Sequence, residues 1–405
     1  MQRASFSWDR LTVTCVLSFC VLVAGLSVGL VLGELRDEFG LSGVVAAAHG
    51  ASFGVSLIIM GLFGLRLVAR IGRPTAFWGS VAFSTAGVLL LCIGRSPVVT
   101  LSATAISGAA CALLVLLMPG IVADHHGEGR AGAFAAINGF PGLAGISFAL
   151  VVGAVISSGH SWRWPYAILT IAFASAFAIA GRGVRIPPST ASVVPVLPLF
   201  HRAEVRGPWI RIVHAVMVEF PVGIWAVVYL KEVGGASSGL AAICGGLWGL
   251  SLFVSRMLLP RYVARFGAWS SSVAFGITAF GAAVMWAGPG FGGRILGLVI
   301  VAMGCGPLYP LAVDRLYRQA DVDSVSLGAV TALASGISVT VGPMALGLLA
   351  DQVGLRSALL FVPVLAMVGI YTSRPSSGQL ADAGGGVQRL DPAGEKSAFA
   401  GSPDR

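Results

Sequence analysis

A short basic segment occurs twice in this chain, close to half the chain length apart. Residues 66–72 read Arg-Leu-Val-Ala-Arg-Ile-Gly, and residues 261–267 read Arg-Tyr-Val-Ala-Arg-Phe-Gly, 195 positions later in a chain of 405 residues. Each copy lies between two long apolar runs. A repeat of this period inside almost continuous apolar sequence indicates two related halves that lie together in a membrane.

Composition supports the membrane interpretation and excludes another. Apolar residues make up 56% of the chain and charged residues 11%, and the mean hydropathy is +0.88. Since a soluble fold of this length does not need so much apolar surface, lipid must cover part of it. The net charge of +9 does not point to nucleic acid, because the arginines stand at the ends of apolar runs and not along one soluble face. We therefore expect a lipid bilayer and no nucleic acid around this chain.

Twelve apolar runs are each long enough to cross a bilayer, which takes about 20 helical residues. The sequence thus predicts an all-α membrane protein with twelve transmembrane helices in two pseudo-symmetric six-helix bundles. The predicted spans are 11–33, 44–66, 75–94, 98–122, 132–157, 164–182, 209–231, 238–260, 267–288, 293–318, 325–350 and 356–373. The predicted parts are a first bundle (1–182), a cytoplasmic linker (183–208), a second bundle (209–373) and a disordered cytoplasmic tail (374–405).

The basic residues predict the orientation of these spans. With the N-terminus inside, the inner side holds 17 of the 26 Lys and Arg residues, the outer side 6 and the tail 3. Because basic loops stay cytoplasmic, we expect a multi-pass protein of the cytoplasmic (inner) membrane with both termini in the cytoplasm. The first run is long and lacks a small-residue cleavage site, which favours an uncleaved helix over a signal peptide. In the proline-rich linker, the apolar stretch 193–200 is predicted to rest on the membrane surface.

The repeated loop resembles the signature of a known family. In the major facilitator superfamily, the loop between the second and third spans reads G-x-L-a-D-R-x-G-R-[RK]. Arg70, Gly72 and Arg73 match this pattern, while Leu65 replaces its first glycine and Ala69 its aspartate.

Further segments extend the resemblance to the whole chain before the tail. The second copy keeps Arg265 and Gly267, again with alanine, Ala264, at the aspartate position. Residues 162–166 before the sixth span and 342–354 around the eleventh also look like the family. The resemblance implies a twelve-span transporter that is not an enzyme, needs no cofactor, is usually a monomer and moves a small-molecule substrate.

Motifs of individual subfamilies are weaker. The family's drug–proton antiporters carry an arginine in the fourth span, in the pattern R-x-x-x-G, where this chain has Thr104 followed by Gly108. Residues 138–145 match only part of the antiporters' fifth-span signature, and the sugar-porter motif after the sixth span is absent. Proton-coupled export and other modes of transport therefore both stay open.

Glu219 is the strongest candidate for proton coupling because it is the one acidic residue that the hydropathy pattern places deep in a span. A carboxylate at that depth must be protonated, paired or in contact with water, and a raised pKa would let it carry a proton. His214 is a candidate partner. The alternative is a carboxyl group that only stabilises packing.

Three further sets of residues are candidates. Polar and aromatic side chains that we expect at a central cavity are Asn138, His49, Trp225, Trp248 and Tyr309. Prolines that we expect to bend cavity-lining helices are Pro141, Pro221, Pro307, Pro310 and Pro343. Residues that the resemblance assigns to a cytoplasmic gate are Arg70, Gly72, Arg73, Asp124, Arg261, Arg265, Gly267 and Asp314. For each set, ordinary packing or loop topology is the competing explanation.

Other classes of protein fit less well. All six cysteines lie inside apolar runs without metal-like spacing, and we interpret His125–His126 as an exposed loop pair without further ligands, so no metal is predicted. Neither lysine belongs to a phosphate-binding loop. The preferred function is proton-coupled efflux of a small, partly apolar compound, because charged groups are scarce in the spans. An uptake permease, a transport-like membrane sensor and a membrane enzyme or redox carrier are the alternatives.

Overall fold

The computed structural model describes residues 8–126, 130–188, 196–320, 322 and 324–374. Within these residues the regular structure is helical, and twelve segments are long and apolar enough to span a membrane. This confirms the predicted fold class, with limits that differ by several residues. The helices are α1 (Arg10–Leu26), α2 (Leu32–Phe39), α3 (Gly43–Ile71), α4 (Arg73–Ile93), α5 (Pro97–His126), α6 (Arg130–Ser157), α7 (Arg163–Ala180), α8 (Ala203–Glu232), α9 (Ser238–Met257), α10 (Leu259–Phe266), α11 (Ser270–Ala287), α12 (Gly290–Gln319), α13 (Ser324–Val353), α14 (Leu355–Ala358) and α15 (Phe361–Thr372).

The spans alternate in direction, which defines two faces of the molecule. We call the face with the start of α1 and the end of α15 the terminal face, and the opposite one the distal face. Helices α1–α7 form the first half and α8–α15 the second. Pro289 separates α11 from α12, between the predicted spans 267–288 and 293–318.

The first span is broken near its distal end. A 3₁₀ turn, Ser27–Val31, separates α1 from α2, and the Tyr166 hydroxyl donates a hydrogen bond to the carbonyl of Ser27. At this break Gly29 meets the other half, since a Cβ there would lie 3.1 Å from the Ile224 carbonyl oxygen of α8. The turn therefore lets the first span approach α8 closely.

Two helix pairs join the halves: α3 packs along α13, and α6 packs along α9. Glycines allow their backbones to touch. A Cβ on Gly54 of α3 would lie 2.5 Å from a backbone nitrogen of α13, and a Cβ on Gly239 of α9 would lie 2.5 Å from the Gly153 carbonyl oxygen of α6. Gly43 and Gly239 lie in the first turns of equivalent helices, 196 positions apart, so the interface follows the sequence repeat.

The segment between the halves packs on protein. Val196 and Leu199, around a 3₁₀ turn (Leu197–His201), are buried against a core formed with α12 and α13. The predicted contact of residues 193–200 with the membrane surface is thus wrong for these two side chains, because a protein surface covers them. Residues 189–195 and the tail after 374 lie outside the described residues. Helix α8 begins at Ala203, inside the predicted linker.

Candidate functional site

A small cavity lies between the halves, beside the break in the first span and toward the distal face. Its volume is about 10 Å³, roughly what one water molecule requires. Its walls come from α1, the turn after α1, α3, α5 and α8, and comprise Gly25, Leu26, Val28, His49, Gly50, Ser52, Phe53, Thr104, Phe220 and Ile224. The lining combines apolar side chains with an imidazole and hydroxyl groups, which is the composition of a small-molecule site.

His49 supplies the imidazole, as the sequence led us to expect. The residue is 1% exposed, and its Nε2 lies 3.0 Å from the Thr100 hydroxyl, while its Nδ1 lies 3.1 Å from the Val45 carbonyl oxygen. Both ring nitrogens are therefore engaged, and the ring is held against the cavity wall. Thr104, at the position where the antiporters carry arginine, lies one turn further along α5 and lines the same cavity.

Glu219 pairs with an arginine of the neighbouring helix. The Arg256 Nη2 atom, near the end of α9, donates to both carboxylate oxygens of Glu219, at 2.9 and 3.2 Å. The glutamate side chain is 16% exposed and the arginine 39%. Cys305 and Tyr309 of α12 lie within electrostatic range of both charges. The pair places a titratable group and its counter-charge between three helices of the second half.

His214 does not pair with Glu219, which corrects our expectation. Its Nε2 lies 2.8 Å from the Leu365 carbonyl oxygen of α15, and its ring lies 5.0 Å from that of Phe275. Five residues along an α-helix turn the side chain by about 140°, so the two residues point to different neighbours.

The other predicted cavity residues occupy different surroundings. Trp225 is 1% exposed, and its indole nitrogen donates to the Pro343 carbonyl oxygen of α13, so it joins two helices instead of lining the cavity. The indole ring of Trp248 packs against Gly223 of α8, where a Cβ would lie 2.7 Å from the indole nitrogen. Gly223 is one helical turn from Glu219. The side chain of Asn138 lies outside the described part of the chain.

The prolines lie inside continuous helices. Pro141 is within α6, Pro221 within α8, Pro307 and Pro310 within α12, and Pro343 within α13. Each removes one backbone donor from its helix.

Two of the predicted gate charges meet on the terminal face. The buried guanidinium of Arg73 donates to the Asp124 carboxylate at 2.5 Å and to the Pro187 carbonyl oxygen at 3.4 Å. Gly72 and Gly267 both have positive φ angles, 81° and 49°, a conformation that suits glycine in a tight turn.

The expected counterpart in the second half does not form. Asp314 pairs with Arg318 on its own helix, at 2.8 Å. Arg261 and Arg265 lie on α10, which has no buried residues, so their side chains face outward. Arg70 is likewise exposed. Among the described residues, Arg73 and Asp124 are therefore the predicted gate charges that pair with each other.

The charges that connect the two halves lie on the distal face. Arg36 of α2 donates to Glu232 of α8 at 2.5 Å, while Lys231 donates to Asp37 at 2.6 Å and to Glu34 at 3.4 Å. These are the ion pairs between halves within the described residues, and we call them the distal latch. Our sequence analysis counted Arg36 and Lys231 only toward topology. Opposite charges at the distal ends of the first and seventh spans were the signal that could have identified the latch.

A carboxylate strengthens the same closure. Asp351, at the distal end of α13, accepts hydrogen bonds from the backbone nitrogens of Gly43 and Val44, at 2.7 and 3.2 Å. An anion at these first amides of α3 is favourable because they have no partner within the helix. The second half thereby holds the start of a first-half helix.

A separate cluster lies on the terminal face, contrary to our view of His125–His126 as a pair without ligands nearby. Asp9 Oδ2 lies 2.5 Å from His125 Nε2, and the Thr12 hydroxyl lies 2.8 Å from His126 Nε2. Although burial raises the pKa of Asp9, the hydrogen bonds from Thr12 and the contact with His125 lower it from 3.8 to about 2.

Comparison with known proteins places the fold in a family. The chain matches the model of the Major Facilitator Superfamily over residues 14–325, and it belongs to that family of membrane transporters. An uncharacterized MFS-type transporter of Salmonella typhimurium is 28% identical over 126 residues, 30% of this chain and 32% of the relative. An uncharacterized transporter of Sinorhizobium fredii is 28% identical over 145 residues, 35% of this chain and 38% of the relative. The chain thus aligns with about a third of each of these curated relatives.

Solved structures share the fold over nearly the whole chain. A mutant of the nucleoside transporter NupG superposes with a TM-score of 0.71 at 14% identity, over 90% of this chain and 98% of the other. A bacterial homolog of the human lysosomal transporter Spinster, in an inward-facing and occupied conformation, superposes with a TM-score of 0.70 at 15% identity, over 95% and 98%. At these identities the likeness establishes the architecture alone.

Proposed function

We propose that this transporter exports a small, partly apolar compound across the cytoplasmic membrane in exchange for protons, by alternating access. The observation that carries the proposal is the Glu219–Arg256 pair. A carboxylate at membrane depth is costly unless it is paired or protonated. When Glu219 takes up a proton, its attraction for Arg256 falls, and the contact between α8 and α9 loosens. A proton at one site thereby changes the packing of the helices that face the other half.

The lining of the cavity, which must widen to admit a compound, supports a substrate of mixed character. Phe53, Phe220 and Ile224 offer apolar surface, while His49 and Thr104 offer hydrogen bonds. The charges near the site form a neutral pair, which favours an uncharged or weakly charged compound over a strong anion. The distal latch supports alternating access, because it joins the two halves at one face only among the described residues. The excess of arginine on the terminal face supports a cytoplasmic position for that face.

Proton release or uptake in inverted membrane vesicles tests the proposal. A panel of small organic compounds is added to vesicles that hold a pH gradient, with wild type beside Glu219→Gln. Glu204→Gln is the matched control, since Glu204 lies on the same helix, is exposed and reaches Arg202 only at 3.8 Å. We expect at least one compound to dissipate the gradient with wild type and the control, and not with Glu219→Gln.

Each other outcome is informative. If no compound acts on wild-type vesicles, proton-coupled export is wrong, and uptake of a metabolite, another coupling ion or a sensor role takes its place. If Glu219→Gln retains full gradient-dependent transport, export stands and the assignment of Glu219 is wrong.

A further inference from the structure

The structure brings together three side chains that are far apart in sequence. Asp9 precedes α1, and His125 and His126 end α5. One carboxylate oxygen and one nitrogen from each imidazole lie within 4.8 Å of one another. We propose that these residues form a binding site for a divalent transition-metal ion, of the zinc, nickel or cobalt class, on the terminal face.

The donor set selects this class of ion. Two imidazoles and one carboxylate are ligands that zinc and its neighbours prefer, whereas magnesium and calcium prefer sites made of oxygen. Three protein ligands leave one tetrahedral position for water. The side chains of His125 and Asp9 are 38% and 37% exposed, so an ion can enter from solvent and that position is open.

The neighbouring groups orient the ligands. Oδ1 of Asp9 accepts hydrogen bonds from the backbone nitrogen and the hydroxyl of Thr12, at 2.7 and 2.8 Å. This leaves Oδ2 directed toward His125. Hydrogen-bonded carboxylates with divided roles are typical of metal ligands. The adjacent cation, Arg10, is directed elsewhere, since it donates to the Arg182 carbonyl oxygen at 2.7 Å.

Only a small movement is needed for binding. Two ligands on a tetrahedral zinc ion are about 3.3 Å apart, given bonds of about 2.0–2.1 Å. The His125–Asp9 contact of 2.5 Å must therefore open by less than about 1 Å as the ion takes the place of the shared proton. The other ligand atoms, at most 4.8 Å apart, must close by at most about 1.5 Å. The bound ion would join the start of α1 to the end of α5, next to the Arg73–Asp124 pair.

Calorimetric titration of the purified full-length chain with zinc chloride tests the site, using a removable tag without histidine. Wild type is compared with His125→Ala, His126→Ala and Asp9→Asn, and asparagine keeps the cap of α1. His160→Ala is the matched control, because His160 is exposed on the distal face. We expect one zinc ion per chain, an affinity at least about ten-fold weaker in the three variants, and no change in the control or with excess magnesium.

A second measurement uses wild type alone, so that misfolded variants cannot decide the result. Diethylpyrocarbonate modifies accessible imidazoles, and mass spectrometry locates the products. Zinc should protect His125 and His126 while leaving His160 reactive. The cluster would be an ion pair and not a metal site if wild type showed no saturable zinc binding, or if the three variants bound zinc as tightly as wild type. Equal modification of His125 and His126 with and without zinc would lead to the same conclusion.

Discussion

Removal of the distal latch should open the distal face. Lys231 holds two carboxylates of α2, those of Glu34 and Asp37, and Arg36 holds Glu232. All five residues lie where the first and seventh spans end. The substitution Lys231→Glu replaces two attractions with two repulsions while leaving the Arg36 contact in place. It therefore changes the balance between closed and open states through charge and not through packing.

The expected change in free energy follows from the exposure of the three side chains. The Lys231 side chain is 26% exposed, that of Glu34 28% and that of Asp37 68%, so each contact belongs near the surface range of about 0.2–1 kcal/mol. Loss of both, with added repulsion, should destabilise the closed state by about 1–2 kcal/mol. Since about 1.4 kcal/mol is a factor of ten in an equilibrium constant, the open population should rise about 5- to 30-fold. High salt should reduce this difference because it screens exposed charges.

Distance measurement between spin labels on the two halves can report the change. Ser161→Cys lies in the exposed α6–α7 turn, and Gly292→Cys lies at the distal start of α12, where a Cβ meets no atom within 4 Å. The native cysteines are all buried, so labelling should be selective. We expect a longer distance to gain population in Lys231→Glu, and a smaller gain in Lys231→Gln.

A charge exchange provides the control for this prediction. Asp37→Lys added to Lys231→Glu restores an opposite pair at the closest contact of the latch. The combined variant should return toward the wild-type distance distribution. If Lys231→Glu leaves the distribution unchanged at low salt, the latch contributes nothing to closure and our reasoning about it is refuted.

Three further predictions concern packing, pairing and the cavity. Gly54→Leu should lower the thermal unfolding temperature strongly, because its Cβ would lie 2.4 Å from a hydroxyl of α13, whereas Gly79→Leu, which meets no atom within 4 Å, should be tolerated. Arg256→Gln should cost about 1–3 kcal/mol of unfolding free energy, because the part-buried carboxylate of Glu219 loses its charged partner. Adding Glu219→Gln should recover most of this loss, and strictly additive losses would show that the pair is not coupled. Thr104→Arg should abolish compound-dependent gradient dissipation, because the added guanidinium would occupy the space into which the cavity of about 10 Å³ must widen to admit a compound, while Thr104→Ser should retain it.

The sequence is informative about depth in the membrane and less so about direction around a helix. Apolar length predicted the twelve spans, and the repeat predicted the paired halves. The hydropathy pattern placed Glu219 deep in a span but did not identify its partner. In the sequence, Arg256 is only a basic residue near the end of a predicted helix. His214 seemed nearer along the chain, yet the turn of the helix directs it to α15. The angle between residues five apart was available from helix geometry alone.

Contacts between distant spans depend on how helices pack, which a hydropathy pattern does not report. Trp225 and His49 are both polar aromatic residues in spans, and nothing in the local sequence separates them. In the fold His49 borders the cavity, while Trp225 is enclosed between α8 and α13 beneath Arg36, whose guanidinium lies 5.7 Å from its ring. The two environments differ because His49 contacts α5 and Trp225 contacts α13.

The two faces differ in the carboxylates that they offer to basic residues. At the aspartate positions of the motif the chain has Ala69 and Ala264, so neither loop offers a carboxylate to Arg70 or Arg265. Charge contacts between halves are found on the distal face, among the described residues. These ion pairs favour the state in which the distal face is closed. Under the proposed export, the distal latch would keep the side that the basic residues assign to the exterior closed while a compound enters from the terminal face.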